Sequence, residues 1–232
     1  MRISKLEWDS NFFDLNVGKI LLKNSKKNSK YILKIIKQSG FDLVYLFSKS
    51  PLSRNLENLF FNETKFTFKK KILLSYNTNI ALPFEGKLNQ ELINLALDAG
   101  SFSRFKLDNS ISRFYNDLYT KWIENSITKK IADEVLTIQK CDKIAGFLTI
   151  KKVDKKSATI GLIAVRKEFR RSGIGTELIH SAENWVLEQN LDYLFVSTQK
   201  QNLKACQFYQ KMGFILEHKE YIFHIWNSKS NV

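Results

Sequence analysis

The stretch Ile163-Ala164-Val165-Arg166-Lys167-Glu168-Phe169-Arg170-Arg171-Ser172-Gly173-Ile174-Gly175-Thr176 runs from an apolar strand through a basic, glycine-bearing turn into an amphipathic helix. It reads as a phosphate cradle. Gly173 and Gly175 lack a Cβ where backbone N–H groups must approach an anion, and the following helix points its unpaired N–H groups and positive dipole end at the same place. Arg170 and Arg171 add a charge whose planar fork matches phosphate oxygens.

These residues alone leave a second reading open, an ordinary strand-to-helix connection with surface arginines. No Gly-Lys-Ser/Thr follows, so this is not a Walker loop, and Leu178 stands where a dinucleotide fingerprint needs its third glycine.

A chain of 232 residues, 44% of them hydrophobic, can bury a sizeable core as one large domain or two small ones. It has no uninterrupted apolar run of membrane-spanning length, and its first residues lack the apolar middle of a signal peptide, so the expected address is cytoplasmic, away from membranes. Two cysteines, Cys141 and Cys206, suggest reduced thiols rather than a disulfide framework. The three histidines, His180, His218 and His224, are spaced too widely for a metal motif, so no metal is expected. The net charge of +14 divides evenly, +7 in residues 1–100 and +7 in the remainder. Lysines cluster at 69–71 and 151–156 without the aromatic interleaving of a recognised RNA module, so nucleic acid is not the expected partner. A small polyanionic ligand would benefit from the same field.

Downstream of the cradle, Ile174, Leu178, Ala182 and Trp185 supply one apolar stripe of the helix, with Ile179, Ala182 and Val186 beside it and His180 off the main stripe. Residues 191–197 read as a buried strand. Asn202 then caps a helix carrying Ala205, Phe208, Tyr209 and Met212 and stopped by Gly213, and residues 214–226 supply one or two closing strands. Upstream, residues 135–139 and 144–150 form a hairpin around Cys141 and Asp142, with Gly146 a bulge or a point of close approach. Residues 158–165 form the strand feeding the cradle, central and covered on both faces. Helices are expected over residues 88–99 and around Phe114, Leu118, Trp122 and Ser126, joined by a loop with Phe102 and Phe105 around Arg104.

Residues 1–85 read as β-α-β-α-β. Strands are expected at 17–22, 41–47 and 65–76, with helices at 30–38 (stripe Tyr31, Ile32, Ile35, Ile36) and along Leu52, Leu56, Leu59 and Phe60. Pro83 and Gly86 sit in a polar stretch that suits a linker, so the chain is divided into residues 1–85 and 86–232.

Arg170, Gly173 and Gly175 match the Arg/Gln-x-x-Gly-x-Gly/Ala signature of the GCN5-related N-acetyltransferases, and Asn202, Ala205, Tyr209, Gly213 and Phe214 match that family's later signature. Over residues 134–226 the sequence resembles this family closely. Residues 6–13, 99–105 and 118–126 extend the resemblance to the bacterial dTDP-fucosamine (dTDP-4-amino-4,6-dideoxygalactose) acetyltransferases. The resemblance implies an α/β (α+β) fold, with a mixed central sheet flanked by helices and an N-terminal partial copy of the acetyltransferase domain. It also implies acetyl-CoA as co-substrate, a nucleotide-linked amino sugar as acceptor, a place in surface polysaccharide synthesis and a homodimer.

By that resemblance, backbone N–H groups of Ile163, Ala164 and Val165 meet the thioester, and residues Arg170, Arg171, Ser172, Gly173, Ile174, Gly175 and Thr176 hold the pyrophosphate. Asn202 caps its helix, contacts CoA or does both. Tyr209 is the catalytic candidate, attending the sulfur of the leaving thiolate. A phenol near pKa 10 is a weaker acid than a thiol near 8.5, so full proton transfer is uphill by about 2 kcal/mol and hydrogen bonding is the safer role. Ser103 and Arg104 belong to the acceptor cleft, where Arg104 pairs with a nucleotide diphosphate or with a structural carboxylate. The base that deprotonates the amine stays open among Glu134, Asp108, His224 and a water chain. Two other acceptors remain alternatives, a protein amine or a polyamine, and so does a non-catalytic CoA-binding or nucleic-acid-binding module. The basic charge favours an anionic nucleotide sugar over a cationic amine.

Overall fold

Contacts in the computed structural model, which describes residues 2–22, 29–52, 60–76 and 81–227, group the chain into two units. The first takes residues 1–66, 199–201 and 218–232, and the second takes residues 67–198 and 202–217. These units follow contact and not chain order, so the compositional boundary at residue 85 is a different kind of division.

In the first unit, β1 (Ser4–Lys5), α1 (Glu7–Phe13), β2 (Val17–Leu22), α2 (Ser29–Lys37) and β3 (Leu43–Ser48) follow one another. β2 pairs antiparallel with β1 and parallel with β3. A parallel pair needs a crossover, and α2 supplies it. Ile32 and Ile36 of α2 join Ile20, Leu22, Val44, Leu46, Phe223 and Ile225 in a buried cluster. Tyr31 is 54% exposed and lies outside the stripe expected of it. Leu56 and Leu59, on the second expected helix, lie outside the described residues.

Two strands contribute residues to both units, β4 (Phe61–Lys71) and β10 (Ile215–Trp226). The closing segment is therefore one long strand. Its residues Tyr221 to Trp226 pair antiparallel with β3.

The second unit adds β5 (Leu82–Pro83), α3 (Gln90–Ala99), α4 (Arg104–Leu107) and α5 (Tyr115–Ile127). It continues through β6 (Glu134–Lys140), β7 (Lys143–Lys152), β8 (Ser157–Val165), α6 (Ile174–Glu188), β9 (Tyr193–Gln199) and α7 (Leu203–Lys211). Its strands lie in the order β4-β9-β8-β7-β6-β5, parallel between β9 and β8 and antiparallel from β8 to β5. Part of the stretch read as linker is thus a short edge strand, with Leu82 opposite Thr137.

The β6–β7 hairpin turns through Cys141 and Asp142, both at positive φ, as a two-residue type I′ turn requires. Gly146 is a point of close approach. A Cβ there would lie 2.9 Å from Ile174 Cγ2 and 3.0 Å from Leu178 Cδ1, so its absence lets α6 settle on β7. The same strand also bulges beside it: Ile138 pairs with Gly146 and Gln139 with Ile144, which leaves Ala145 as the extra residue on β7. Cys141 is exposed and Cys206 buried, and neither is in a disulfide among the described residues.

Candidate functional site

β8 pairs with β9 from Ser157↔Tyr193 only as far as Ile160↔Val196. Its other edge stays paired with β7 out to Val165↔Gly146, after a register shift between Leu148 and Ile150. One extra residue on β8 produces that shift, and the bulge increases local twist where β8 and β9 part. The strand is central in order, as expected, but beyond Ile160 its β9 edge is open.

The register decides which N–H groups face the opening. Arg166 N–H donates to the Ala145 carbonyl at 2.8 Å, so Val165 and Gly146 form the wide, non-hydrogen-bonded pair of the ladder. Ala164 then turns its N–H and carbonyl toward Phe147, and Ile163 and Val165 turn theirs toward the gap. Of the three residues expected at the thioester, Ala164 therefore faces the other strand.

The cradle follows. Arg171 lies at φ +64° and Gly173 at φ +90°, two left-handed positions flanking Ser172. Gly173 is the N-cap of α6 and offers no side chain to its first turn. The helix ladder begins with Glu177 N–H donating to the Gly173 carbonyl at 3.1 Å, so the N–H groups of Ile174, Gly175 and Thr176 precede it. At Gly175 a Cβ would meet Phe208 at 3.2 Å and Val165 Cγ2 at 3.8 Å. The first turn of α6 thus lies between the end of β8 and the helix that bears Tyr209. Ser172 Oγ closes the turn by donating to the Phe169 carbonyl at 2.6 Å.

Arg170 is occupied. Its Nε donates to the Val165 carbonyl at 3.0 Å and its Nη2 pairs with Asp98 near the end of α3. Arg166 pairs with Glu91 of the same helix and donates to the Ile144 carbonyl at 2.9 Å. Together these two arginines clamp α3 to the end of β8, a structural task that the sequence reading assigned to neither. Arg171 is exposed and has no such carboxylate among the described residues.

Asn202 caps α7, its side chain accepting from Ala205 N–H at 3.3 Å. Tyr209 is 4% exposed in a box of rings, with Phe208, Phe68 and Phe214 centred 5.6, 5.8 and 6.0 Å away. Burial, with the Cys206 side chain adding to it, pushes the phenol above its ordinary value. The group stays a protonated donor at neutral pH, and giving the proton up entirely becomes harder than reference values suggest.

Ser103 and Arg104 start α4, five and six residues after Asp98. Ser103 is 5% exposed, and its hydroxyl has no hydrogen-bond partner among the described residues. The Arg104 guanidinium lies 4.5 Å over the Phe105 ring. Among the base candidates, Asp108 is buried and accepts from Ser110 N–H at 3.0 Å, and Glu134 pairs with Lys129 at 3.4 Å. His224 is fully buried in the first unit against the rings of Tyr45 and Phe61. His180 stacks on Tyr76 at 3.8 Å.

The family model for the Acetyltransferase (GNAT) family matches residues 95–214, just over half the chain and the span that carries β6 to α7. This chain belongs to the GNAT acetyltransferase family. Streptothricin acetyltransferase A of Bacillus subtilis (strain 168) is 44% identical over 59 residues, 25% of this chain and 34% of that protein. The dTDP-fucosamine acetyltransferase of Escherichia coli O6:H1 is 29% identical over 131 residues, 56% of each chain. The chain thus spans between a third and just over half the length of these curated relatives. A GCN5-related N-acetyltransferase from Sphaerobacter thermophilus superposes with TM-score 0.56 at 9% identity, covering 97% of this chain and 75% of that one. That likeness supports the mixed α/β fold.

Proposed function

We propose that this protein transfers the acetyl group of acetyl-CoA to the amine of a nucleotide-linked amino sugar, of the dTDP-4-amino-4,6-dideoxyhexose type used in surface polysaccharides. The observation that carries acetyl transfer is the parting of β8 from β9 at Ile160↔Val196, immediately before a cradle of left-handed positions and unpaired helix N–H groups. The cradle residues fit an anion such as pyrophosphate without a metal.

In this reading the amine nitrogen attacks the thioester carbonyl carbon, the C–N bond forms, the C–S bond breaks and no covalent enzyme intermediate arises. Ile163 and Val165 offer N–H groups to the developing oxyanion. Tyr209 donates a hydrogen bond to the departing thiolate, and the amine proton leaves through a base or water. Holding both reactants at the gap lowers the entropic barrier.

Likeness to a dTDP-fucosamine acetyltransferase and the excess of basic residues support the acceptor class. The buried Ser103 hydroxyl, beside Arg104, supports an acceptor contact at α4. A cytoplasmic homodimer completes the proposal by resemblance. Among the described residues no helix is long and apolar enough to cross a membrane.

The test is CoA release on a panel of nucleotide-linked 3-amino and 4-amino sugars, with polyamines, protein amines and an aminated antibiotic as competitors. Preference for a nucleotide sugar supports the proposal. Turnover confined to the other amines overturns the acceptor and keeps acetyl transfer.

A further inference from the structure

The face of the second unit's sheet that turns away from α6 carries a basic and aromatic recess. Lys70 pairs with Glu183 of α6, so Lys69, its neighbour in the strand, faces the opposite side. There Lys69 Nζ lies 4.5 Å over the Tyr193 ring and 5.5 Å over the Phe195 ring. Thr67 and Ser197, two residues farther along each strand, meet on the same face at 3.0 Å. A cavity of about 580 Å³ opens here, lined by Lys69, Asp154, Lys155, Lys156, Ser157, Tyr193 and Phe195. The fold thus brings together the two lysine clusters that lie some eighty residues apart in sequence, and it inserts between them the ring pair that neither cluster has alone.

The lysine charges in the recess are only partly cancelled. Lys69 is paired with Glu217 at 3.2 Å, and Asp154 Oδ1 accepts the Lys156 backbone N–H at 2.8 Å as part of the turn. The ammonium groups of Lys155 and Lys156 are exposed, and no ion pair to either is recorded among the described residues. Ring edges and faces suit a planar base, and point charges suit phosphate oxygens. A ligand that uses both has an aromatic ring and an anionic phosphate.

Tyr193 and Phe195 lead along β9 to Ser197, which lies just beyond the point where β8 and β9 part. Four residues of strand span roughly 13 Å. A ligand held in the recess and reacting at the gap must therefore be extended, with its amine at one end and its anionic ring system at the other.

We propose that this recess receives the nucleoside diphosphate end of the acceptor, with Tyr193 and Phe195 against the base and Lys155 and Lys156 against the phosphates. The assignment rests on the nucleotide-sugar reading of the acceptor for its place in the reaction. Its binding chemistry can be measured separately.

The experiment is calorimetric titration of the full chain with dTDP and with UDP, using wild type, Lys155→Glu/Lys156→Glu and Phe195→Ala, followed by acceptor kinetics. The expected result is a loss of diphosphate affinity of about tenfold in each variant, the scale of a few partly exposed contacts. Acetyl-CoA affinity should stay unchanged in both variants, and the thermal midpoint should hold in Lys155→Glu/Lys156→Glu and fall in Phe195→Ala, whose half-buried ring packs in β9. With a nucleotide amino sugar, KM should rise by the same factor and kcat should hold. Absence of diphosphate binding to wild type, or equal affinity in all three proteins, overturns the site. If diphosphate binding weakens in the variants and no nucleotide sugar is acetylated, the site stands and the acceptor assignment falls.

Discussion

The Thr149 hydroxyl accepts a hydrogen bond from the Leu162 N–H at 2.9 Å, so a side chain of β7 fills the ladder position displaced by the bulge in β8. Leu162 is 5% exposed, and without Thr149 this N–H would be buried and unsatisfied. Such a donor costs about 1–3 kcal/mol. The next residue is Ile163, whose N–H faces the gap, so the same bond fixes the direction of a proposed oxyanion donor.

Thr149→Val keeps the volume and removes the acceptor. The thermal midpoint should fall by several degrees. Turnover should fall about tenfold, with the KM for acetyl-CoA changing less. Thr149→Ser, which keeps the hydroxyl, should recover most of both. A valine variant with wild-type midpoint and turnover would show that the bulge is held by other forces.

The glycine turn and the Tyr209 helix were legible as local structure because each is written locally: glycines at fixed offsets after a strand, a capping Asn, and a stripe ending in Gly213. The bulge, the clamp of Arg166 and Arg170 on α3, and the meeting of Lys69 with Tyr193 were not. Each joins residues far apart in the chain, and pair geometry of that kind leaves no periodic trace. Arg170 is the instructive case. Its residue type and spacing suit phosphate, yet its guanidinium is held by Asp98 and the Val165 carbonyl.

Tyr209→Phe tests the ring box and the donor together. Turnover should fall by roughly 10²- to 10⁴-fold, the range for a positioned proton donor, while acetyl-CoA affinity changes little. Near-normal turnover would remove the phenol from the chemistry.

The same variant has a signature in stability against pH. Burial raises the phenols of Tyr209 and Tyr115 above their ordinary value. In the unfolded chain both ionise near pH 10, whereas the folded chain keeps their protons, so above that pH the unfolded state binds fewer protons. Their contribution is fully present below about pH 10 and is lost as the pH rises beyond it. Urea midpoints of wild type should hold flat from these groups at pH 8–9 and decline above 10, and Tyr209→Phe should decline less steeply. Parallel declines would contradict the buried, protonated phenol.

Gly146→Ala places a methyl 2.9 Å from Ile174 Cγ2 and 3.1 Å from the Ala164 carbonyl oxygen. Backbone cannot yield as a side chain can, so overpacking of about 1–3 kcal/mol is expected. Because Ile174 is the first residue of α6, the displacement reaches the cradle. Acetyl-CoA affinity should therefore weaken along with the midpoint, measured by titration and thermal melting, whereas a purely global effect would leave affinity intact below the melt.

Lys70 and Glu183 meet at 2.5 Å with side chains 18% and 1% exposed, on the side of the sheet where Lys70 also lies 5.8 Å from the Phe214 ring. Phe214 in turn borders Tyr209. A buried carboxylate tolerates its loss of water only while its partner remains, so Lys70→Met should cost about 3–5 kcal/mol. Replacing both, Lys70→Met with Glu183→Leu, removes the stranded charge and should restore most of that stability. Turnover separates packing from positioning. If the ion pair only stabilises, the double variant regains turnover along with its melting point. If it also holds the Phe214 and Tyr209 rings in register, the double variant melts like wild type and still turns over more slowly, and that second outcome is the one expected, because a flexible methionine does not hold a position as a paired ammonium does.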